Sequence, residues 1–254
     1  LAVWSKGGTT GALLHELLDG DRVPHHPVPM TGPVRESFAV LERSTGRQFR
    51  FGTPGPTLPA DGLVSMVDAL GQLEPPPAFV VGSGSLPPGV DDRFYADLAE
   101  AVTSRGARFI LDTHGAPLSL ALRTGRVYLI KPNLRELGAL VGRALQDDAD
   151  IAAAARAIVD EHGCEIVMAS LGAGGAVVVT ADSVDRIVAP TVPVRSRIGA
   201  GDSTVAGLAL ALARGASIRR AARFGVAAGA AAVMTPGTEL CRREDVERLF
   251  ASMT

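Results

Sequence analysis

Short apolar segments separated by helical patterns dominate the middle of the chain. Runs of mostly apolar residues predict buried strands at 78–82, 108–112, 127–130, 165–170 and 176–180. The residues between them predict helices over 91–104, 117–122 and 150–161. Strands separated in this way need right-handed crossover connections, so the pattern predicts an α/β fold with a mostly parallel central sheet.

The two ends of the chain add further elements. A strand at 1–5, a glycine-rich turn and a helix at 12–18 come first, and a second helix is predicted over 61–73. After a strand at 184–189, three helices are predicted over 201–213, 218–233 and 243–253. Between the first two helices, residues 37–43 and 47–51 partly alternate polar and apolar side chains around Ser-Thr-Gly at 44–46. This predicts a β-hairpin within about 34–52 that projects from the main body.

Composition narrows the function classes. A chain of 254 residues with 46% hydrophobic content suits one sizeable domain, and a net charge of -2 argues against a nucleic-acid partner. No apolar run is long enough to span a membrane, so we expect no membrane partner. Cys164 and Cys241 lie far apart without the spacing of a disulfide framework or a zinc site, which favours a reducing cytoplasm.

A small-residue turn, Gly199-Ala200-Gly201-Asp202, runs directly into the apolar helix pattern that follows it. Free backbone N–H groups at a helix N-terminus bind anions, so the turn is a candidate phosphate site. An ordinary helix N-cap explains the same residues equally well.

The ends of the predicted strands carry further candidate chemistry. Lys131, Asn133 and Glu136 follow the strand at 127–130, where ligands gather in open α/β sheets, although a variant of the capping box also explains the last two. A glycine-rich turn at 171–175 follows the strand at 165–170 and is either a β-turn or a platform for a flat ligand.

The order of these motifs is more specific than any one of them. The motifs are Gly-Ser-Leu-Pro-Pro-Gly at 84–89, Lys-Pro-Asn-x-x-Glu at 131–136, Ser-Leu-Gly-x-x-Gly at 170–175, Gly-Ala-Gly-Asp at 199–202 and Phe-Gly-Val-Ala-Ala-Gly at 224–229. Together they resemble the ribokinase-like sugar kinases of the phosphofructokinase B family over essentially the whole chain. Residues 34–37, 50–51, 54–56 and 235–238 with Cys241 look most like the minor, B-type ATP-dependent 6-phosphofructokinases.

The resemblance implies a ribokinase-like three-layer α/β/α sandwich with a small β lid, which is the predicted hairpin. It implies ATP-dependent phosphoryl transfer to a sugar phosphate, fructose 6-phosphate first, with fructose 1-phosphate and tagatose 6-phosphate as alternatives. Asp202 matches the catalytic base, and the amides of Gly199, Ala200 and Gly201 match the anion hole. The lid often pairs with a partner's lid, which implies a homodimer.

The resemblance assigns the other site residues by position. Nucleotide contacts are implied at Lys131, Asn133, Ser170, Gly172 and Gly175. Sugar-phosphate contacts are implied at Arg35, Ser85 and Asp202. Mg²⁺ is implied near Glu136 and Asp112 through water, and K⁺ at the backbone of Ile198, Ala232, Thr235 and Gly237.

Relatives begin with about sixty further residues that carry part of the sugar site and lid, roughly a few strands and a helix. We therefore expect this sequence to be a fragment or to omit such a segment. If the segment is truly missing, a noncatalytic protein that binds sugar phosphate or nucleotide is the alternative. A dehydrogenase is disfavoured because Gly199-x-Gly201-x-x-Thr204 lacks the third glycine of a dinucleotide-binding turn.

Overall fold

The computed structural model describes residues 1–45 and 47–253. These residues form two compact units, and each is described by itself. The first contains Leu1–Pro77 and Ser85–Phe94, and the second contains Ala78–Gly84 and the described residues from Tyr95 onward. The prediction of a single kinase domain over 1–254 stays a prediction.

The first unit begins with a β-α-β arrangement. Strand β1 (Ala2–Lys6) leads into helix α1 (Gly8–Gly20), and strand β2 (His25–Pro29) then pairs with β1 in parallel. The sequence did not predict β2, because it contains two prolines, which cannot donate ladder hydrogen bonds. The strand tolerates them because, among the described residues, β1 is its only neighbour in this two-stranded sheet. Helix α2 (Ala60–Gly71) packs against both strands.

The predicted hairpin is confirmed as strands β3 (Ser37–Glu42) and β4 (Arg47–Gly52), which pair in antiparallel register; Gly46 of its turn lies outside the described residues. Phe38 is opposite Phe51 and Val40 is opposite Phe49, so these four side chains share one face. The rings of Phe38 and Phe51 stack at 5.3 Å.

The second unit is built on a six-stranded sheet. Its strands are β5 (Phe79–Ser83), β6 (Arg108–Asp112), β7 (Val127–Ile130), β8 (Ile166–Ser170), β9 (Ala176–Thr180) and β10 (Val184–Ile187). The spatial order is β10-β9-β8-β7-β6-β5, and the pairs from β5 to β8 are parallel. Strands β9 and β10 are antiparallel to their neighbours, because the connections before them are too short for a crossover.

Helices cover the sheet and complete the α/β architecture. They are α3 (Phe94–Thr103), α4 (Ala116–Leu122), α5 (Leu134–Leu140), α6 (Asp148–His162), α7 (Ala200–Ala213), α8 (Ile218–Val233) and α9 (Arg243–Ser252). Met168 and Val178 on one sheet face form a core with buried residues of α7 and α8. Val167 and Val179, which point to the opposite face, are also fully buried. Both faces are therefore covered, as the apolar strand runs predict.

Every helix among the described residues falls short of the length and apolar character that a membrane-spanning helix needs.

Candidate active site

The N-terminus of α7 presents backbone donors without a side chain to cap them. Gly199 is the N-cap residue and has φ 76° and ψ -1°, a left-handed conformation that favours glycine. As a glycine, this residue has no side chain that could cap the helix, and Asp202 lies inside the first turn. The alternative of an ordinary side-chain N-cap is therefore wrong. The first N–H groups of α7 have no acceptor within the helix, which suits an anion.

Helix α8 fixes the position of this N-terminus. Thr204 in α7 donates a hydrogen bond from Oγ1 to the carbonyl of Ala200 at 2.8 Å. Gly229 of α8 lies directly against this pair: a Cβ added there would overlap Thr204 Oγ1 and lie 3.0 Å from the Ala200 oxygen. The close approach of the two helices thus depends on the missing side chain at Gly229.

Lys131 carries a buried positive charge at the end of β7. Its side chain is only 8% exposed, and its Nζ lies 3.3 Å from Oδ1 of Asp112 at the end of β6. The same Nζ is 3.5 Å from where a Cβ on Gly201 would be. The carboxyl ends of two neighbouring strands and the N-terminus of α7 therefore meet at one place.

The charges of two other carboxylates act on Asp112 at this place. Burial raises the pKa of Asp112, and the nearby charges of Asp202 and Glu136 raise it further, while Lys131 acts in the opposite direction. Asp202 itself is exposed. The site thus combines one ammonium group with several carboxylates, a combination that suits a ligand carrying both phosphates and a cation.

Asn133 and Glu136 form the capping box at the start of α5. The Asn133 N–H donates to Glu136 Oε2 at 2.9 Å, and the Glu136 N–H donates to Asn133 Oδ1 at 3.0 Å. An amide also carries an NH₂ group and a carboxylate a second oxygen, so the cap does not exclude a ligand role. Asn133 also forms a parallel bridge with Ser170, whose N–H donates to the Pro132 carbonyl at 2.8 Å.

A cavity of about 490 Å³ opens beside this centre. Its walls include predicted residues from the glycine-rich turn and from the start of α7. They are Lys131, Ser170, Gly172, Gly175, Ala200 and Gly201. The remaining lining is mainly apolar and comes from residues 189–194 and from one side of α8. An apolar cavity with a few polar groups at one end is typical of a small-molecule site.

The four positions implied for a monovalent cation lie on two segments that hydrogen bonds hold together. Ser196, which is 2% exposed, donates from Oγ to the Gly237 carbonyl at 2.6 Å and accepts from the Ile198 N–H at 3.2 Å. The carbonyls of Ala232 and Glu239 each lie 2.8 Å from Thr235 Oγ1, although one hydroxyl has only one proton to donate. Backbone oxygens therefore converge around Thr235.

Two of the three predicted sugar-phosphate residues belong to the first unit, and Asp202 belongs to the second. Arg35 and Ser85 are both exposed. The stem of Arg35 runs past Gly55, whose Cβ position is 3.8 Å from Arg35 Cβ and Cδ. Their roles stay predictions.

With this geometry in view, comparison with known proteins identifies the family. Residues 6–245 match the pfkB family of carbohydrate kinases. The chain belongs to this family.

Individual relatives agree with the family assignment. The chain is 40% identical over 249 residues to the ATP-dependent 6-phosphofructokinase isozyme 2 of Mycobacterium tuberculosis, covering 98% of this chain and 73% of that one. It is similar to the crystal structure of phosphofructokinase-2 from Escherichia coli in complex with potassium, with a TM-score of 0.93 and 38% identity over 98% of this chain and 81% of that one. It also shares its fold with Arabidopsis thaliana ribokinase, at a TM-score of 0.75 and 22% identity over 98% of this chain and 80% of that one.

These findings confirm the predicted resemblance, the ribokinase-like α/β fold and a sugar kinase activity. The role of each site residue in this pfkB kinase stays a prediction.

Sequence reasoning missed several residues that contribute to the candidate site. Arg197, Thr204 and the 189–194 segment line the cavity, and Ser196 joins the two segments of the implied cation site. The run Ala-Pro-Thr-Val-Pro-Val at 189–194 is apolar yet suits neither a helix nor a central strand, and that mismatch is the signal that could have marked it.

Proposed function

We propose that this pfkB kinase transfers the γ-phosphoryl group of ATP to fructose 6-phosphate and forms fructose 1,6-bisphosphate. The observation that carries the proposal is the uncapped N-terminus of α7, which lies beside the buried Lys131 ammonium at the edge of an apolar cavity. The names of the most similar relatives favour fructose 6-phosphate among the sugar phosphates.

The cavity suits a nucleotide. Its apolar walls would hold the adenine and ribose, while Ser170, Gly172 and Gly175 supply backbone along one side. Lys131 and the amides at the start of α7 would bind the phosphates. The ammonium group carries a full positive charge, and the N–H groups carry partial positive charges that attract the phosphate oxygens. Asn133, at the cap of α5, would add an amide contact.

The reaction needs an acceptor for one proton and stabilisation of one charged group. The attacking sugar hydroxyl forms a bond to the γ-phosphorus, the bond from that phosphorus to the oxygen of ADP breaks, and the hydroxyl proton passes to Asp202. The amides of Ala200 and Gly201 and the Lys131 ammonium stabilise the negative charge on the transferring group. Arg35 and Ser85 would bind the sugar phosphate.

Two cations fit the residues present. The carboxylate oxygens of Asp112 and Glu136 are the donor type that Mg²⁺ prefers, and they would hold it through water. Mg²⁺ supplies charge neutralisation on the phosphates. A K⁺ ion would bind backbone oxygens near Ile198, Ala232, Thr235 and Gly237, and the convergence of carbonyls around Thr235 supports this.

We also infer a homodimer formed through the hairpin. Phe38, Val40, Phe49 and Phe51 form one apolar face and are exposed by 57%, 45%, 37% and 49%. An exposed face of four large apolar side chains favours contact with a second copy.

The test is the Asp202→Asn variant of the full-length protein, assayed by coupled ADP release with Mg²⁺ and K⁺ present or omitted. We expect turnover with fructose 6-phosphate to fall by about 10² to 10⁴, because general base catalysis contributes that much. Nucleotide binding and thermal stability should stay close to those of the wild type, since Asp202 is exposed.

The matched control is Asp182→Asn, the same change at an exposed turn between β9 and β10, which should keep full turnover. Substantial residual activity in Asp202→Asn would disprove the assigned base. Faster wild-type turnover with fructose 1-phosphate or tagatose 6-phosphate would correct the substrate. No turnover with any of the three sugars, together with intact nucleotide binding, would support the noncatalytic alternative.

A further inference from the structure

Two histidines and an aspartate converge in the first unit, and none of them takes part in the proposed reaction. His15 and Asp19 lie one turn apart on α1, and His25 begins β2. Nε2 of His25 lies 3.0 Å from Asp19 Oδ1, and Nε2 of His15 lies 3.6 Å from Asp19 Oδ2. One ligand atom from each of the three residues lies within 4.8 Å of the other two.

His15 is poorly satisfied in this arrangement. Its Nδ1 is buried and has no hydrogen-bond partner among the described residues. Its Nε2 contact with Asp19, at 3.6 Å, is longer than a hydrogen bond. The rings of His15 and His25 meet edge to face at 4.7 Å between centroids. Nε2 of His15 therefore faces Asp19 without a hydrogen bond that binding of an ion would have to break.

We propose that Nε2 of His15, Nε2 of His25 and a carboxylate oxygen of Asp19 bind a divalent transition metal, with Zn²⁺ as the representative ion. Two imidazoles and one carboxylate form a donor set that Zn²⁺ accepts and that Mg²⁺, which prefers oxygen, does not favour. Asp19 is 63% exposed and His15 33%, so an ion can enter from solvent.

Trp4 is hydrogen-bonded to the proposed site, so its fluorescence should change when a metal binds. Its indole Nε1 donates a hydrogen bond to His25 Nδ1 at 3.1 Å, so Nδ1 is unprotonated and the His25 proton is on Nε2. When a metal takes Nε2, the proton of a neutral imidazole must lie on Nδ1, where it would face the indole N–H. Metal binding and the Trp4 hydrogen bond therefore exclude each other.

The experiment titrates ZnCl₂ into the full-length protein by calorimetry and by tryptophan fluorescence. Trp4 is the single tryptophan of this 254-residue sequence, so the emission that is lost in Trp4→Phe reports on this cluster. We expect saturable binding of one Zn²⁺ per chain, a matching change in Trp4 emission, and no competition from excess Mg²⁺. His15→Ala should weaken binding at least about 10-fold, because loss of even an outer partner of a metal ligand has effects of that size.

Two further variants make the test specific. His26→Ala removes an exposed neighbouring imidazole outside the cluster and should leave Zn²⁺ binding unchanged. Trp4→Phe removes the competing donor and should tighten Zn²⁺ binding, measured by calorimetry. The proposal is overturned if Zn²⁺ does not bind with saturation, if His15→Ala binds as well as the wild type, or if Trp4→Phe binds more weakly. Circular dichroism of each variant establishes that it is folded.

Discussion

Asp112 and Lys131 form an ion pair at the centre of the candidate active site. The two side chains are 18% and 8% exposed, so neither charge is well solvated. Burial is the largest influence on Asp112 and raises its pKa, and the Lys131 ammonium only partly opposes this. Because the pKa of Asp112 differs from its ordinary value, protonation of this carboxyl is linked to folding stability.

Above its folded pKa, the ionised form of Asp112 makes folding less favourable than the protonated form does. Because its folded pKa is raised above 3.8, its stabilising contribution is complete below that value and is lost as the pH rises through the folded pKa. Relative to Asp112→Asn, which does not titrate, the wild type should lose unfolding free energy across this window. Urea unfolding of both proteins at pH values between about 4 and 7 measures the difference. A difference that moves in favour of the wild type with rising pH would contradict the prediction.

The packing of helix α8 against helix α7 determines where the backbone N–H groups at the start of α7 point. Gly229 allows the backbone of α8 to approach Thr204 and the Ala200 carbonyl. The absence of a side chain in one helix therefore helps to position the N-terminus of another, the candidate anion site.

We expect Gly229→Ala to destabilise the protein by about 1 to 3 kcal/mol, the usual effect of overpacking, and to weaken ATP binding by displacing the start of α7. Thermal unfolding and the KM for ATP measure the two effects. Gly20→Ala is the matched control, because Gly20 lies at the end of α1 with nothing within 4 Å of its Cβ position. It should be neutral or slightly stabilising. Equal behaviour of the two variants would show that the close approach is unimportant.

Assembly is the property of the whole molecule that the hairpin would control. Neighbouring residues of a strand point to opposite faces of the hairpin. Val40 therefore lies on the apolar face with Phe38, Phe49 and Phe51, whereas Leu41, which is paired with Gln48, lies on the other face. Both Val40 and Leu41 are exposed, by 45% and 55%. Neighbouring residues of similar exposure thus allow a test of which face makes the contact.

Val40→Lys should convert a dimer into monomers, because it introduces a charge into the apolar face from each copy. Leu41→Lys should leave the dimer intact. Sedimentation velocity over a range of protein concentrations distinguishes the two. Dissociation in both variants, or in neither, would rule out the proposed interface.

The sequence by itself determined the order of helices and strands in the second unit. Strands such as β6, β7 and β9 begin and end where their apolar runs predict, because a buried strand needs a local run of apolar side chains. Helix α8 likewise spans the predicted Ile218–Val233. The order of the glycine-containing and charged motifs along the chain was also enough to identify the family, because each motif consists of a few neighbouring residues.

Only the tertiary structure decided which of these residues meet. Lys131 approaches Gly201 across 70 positions of sequence, and His25 approaches Asp19 only because β2, a strand with two prolines, pairs beside β1. Which of residues 199–202 begins α7 was also decided by the fold, because Gly199, in a left-handed conformation and without a side chain, is the N-cap residue. Periodicity and turn residues report local backbone preference, whereas distances between distant side chains depend on how packed elements are arranged, which no local pattern contains.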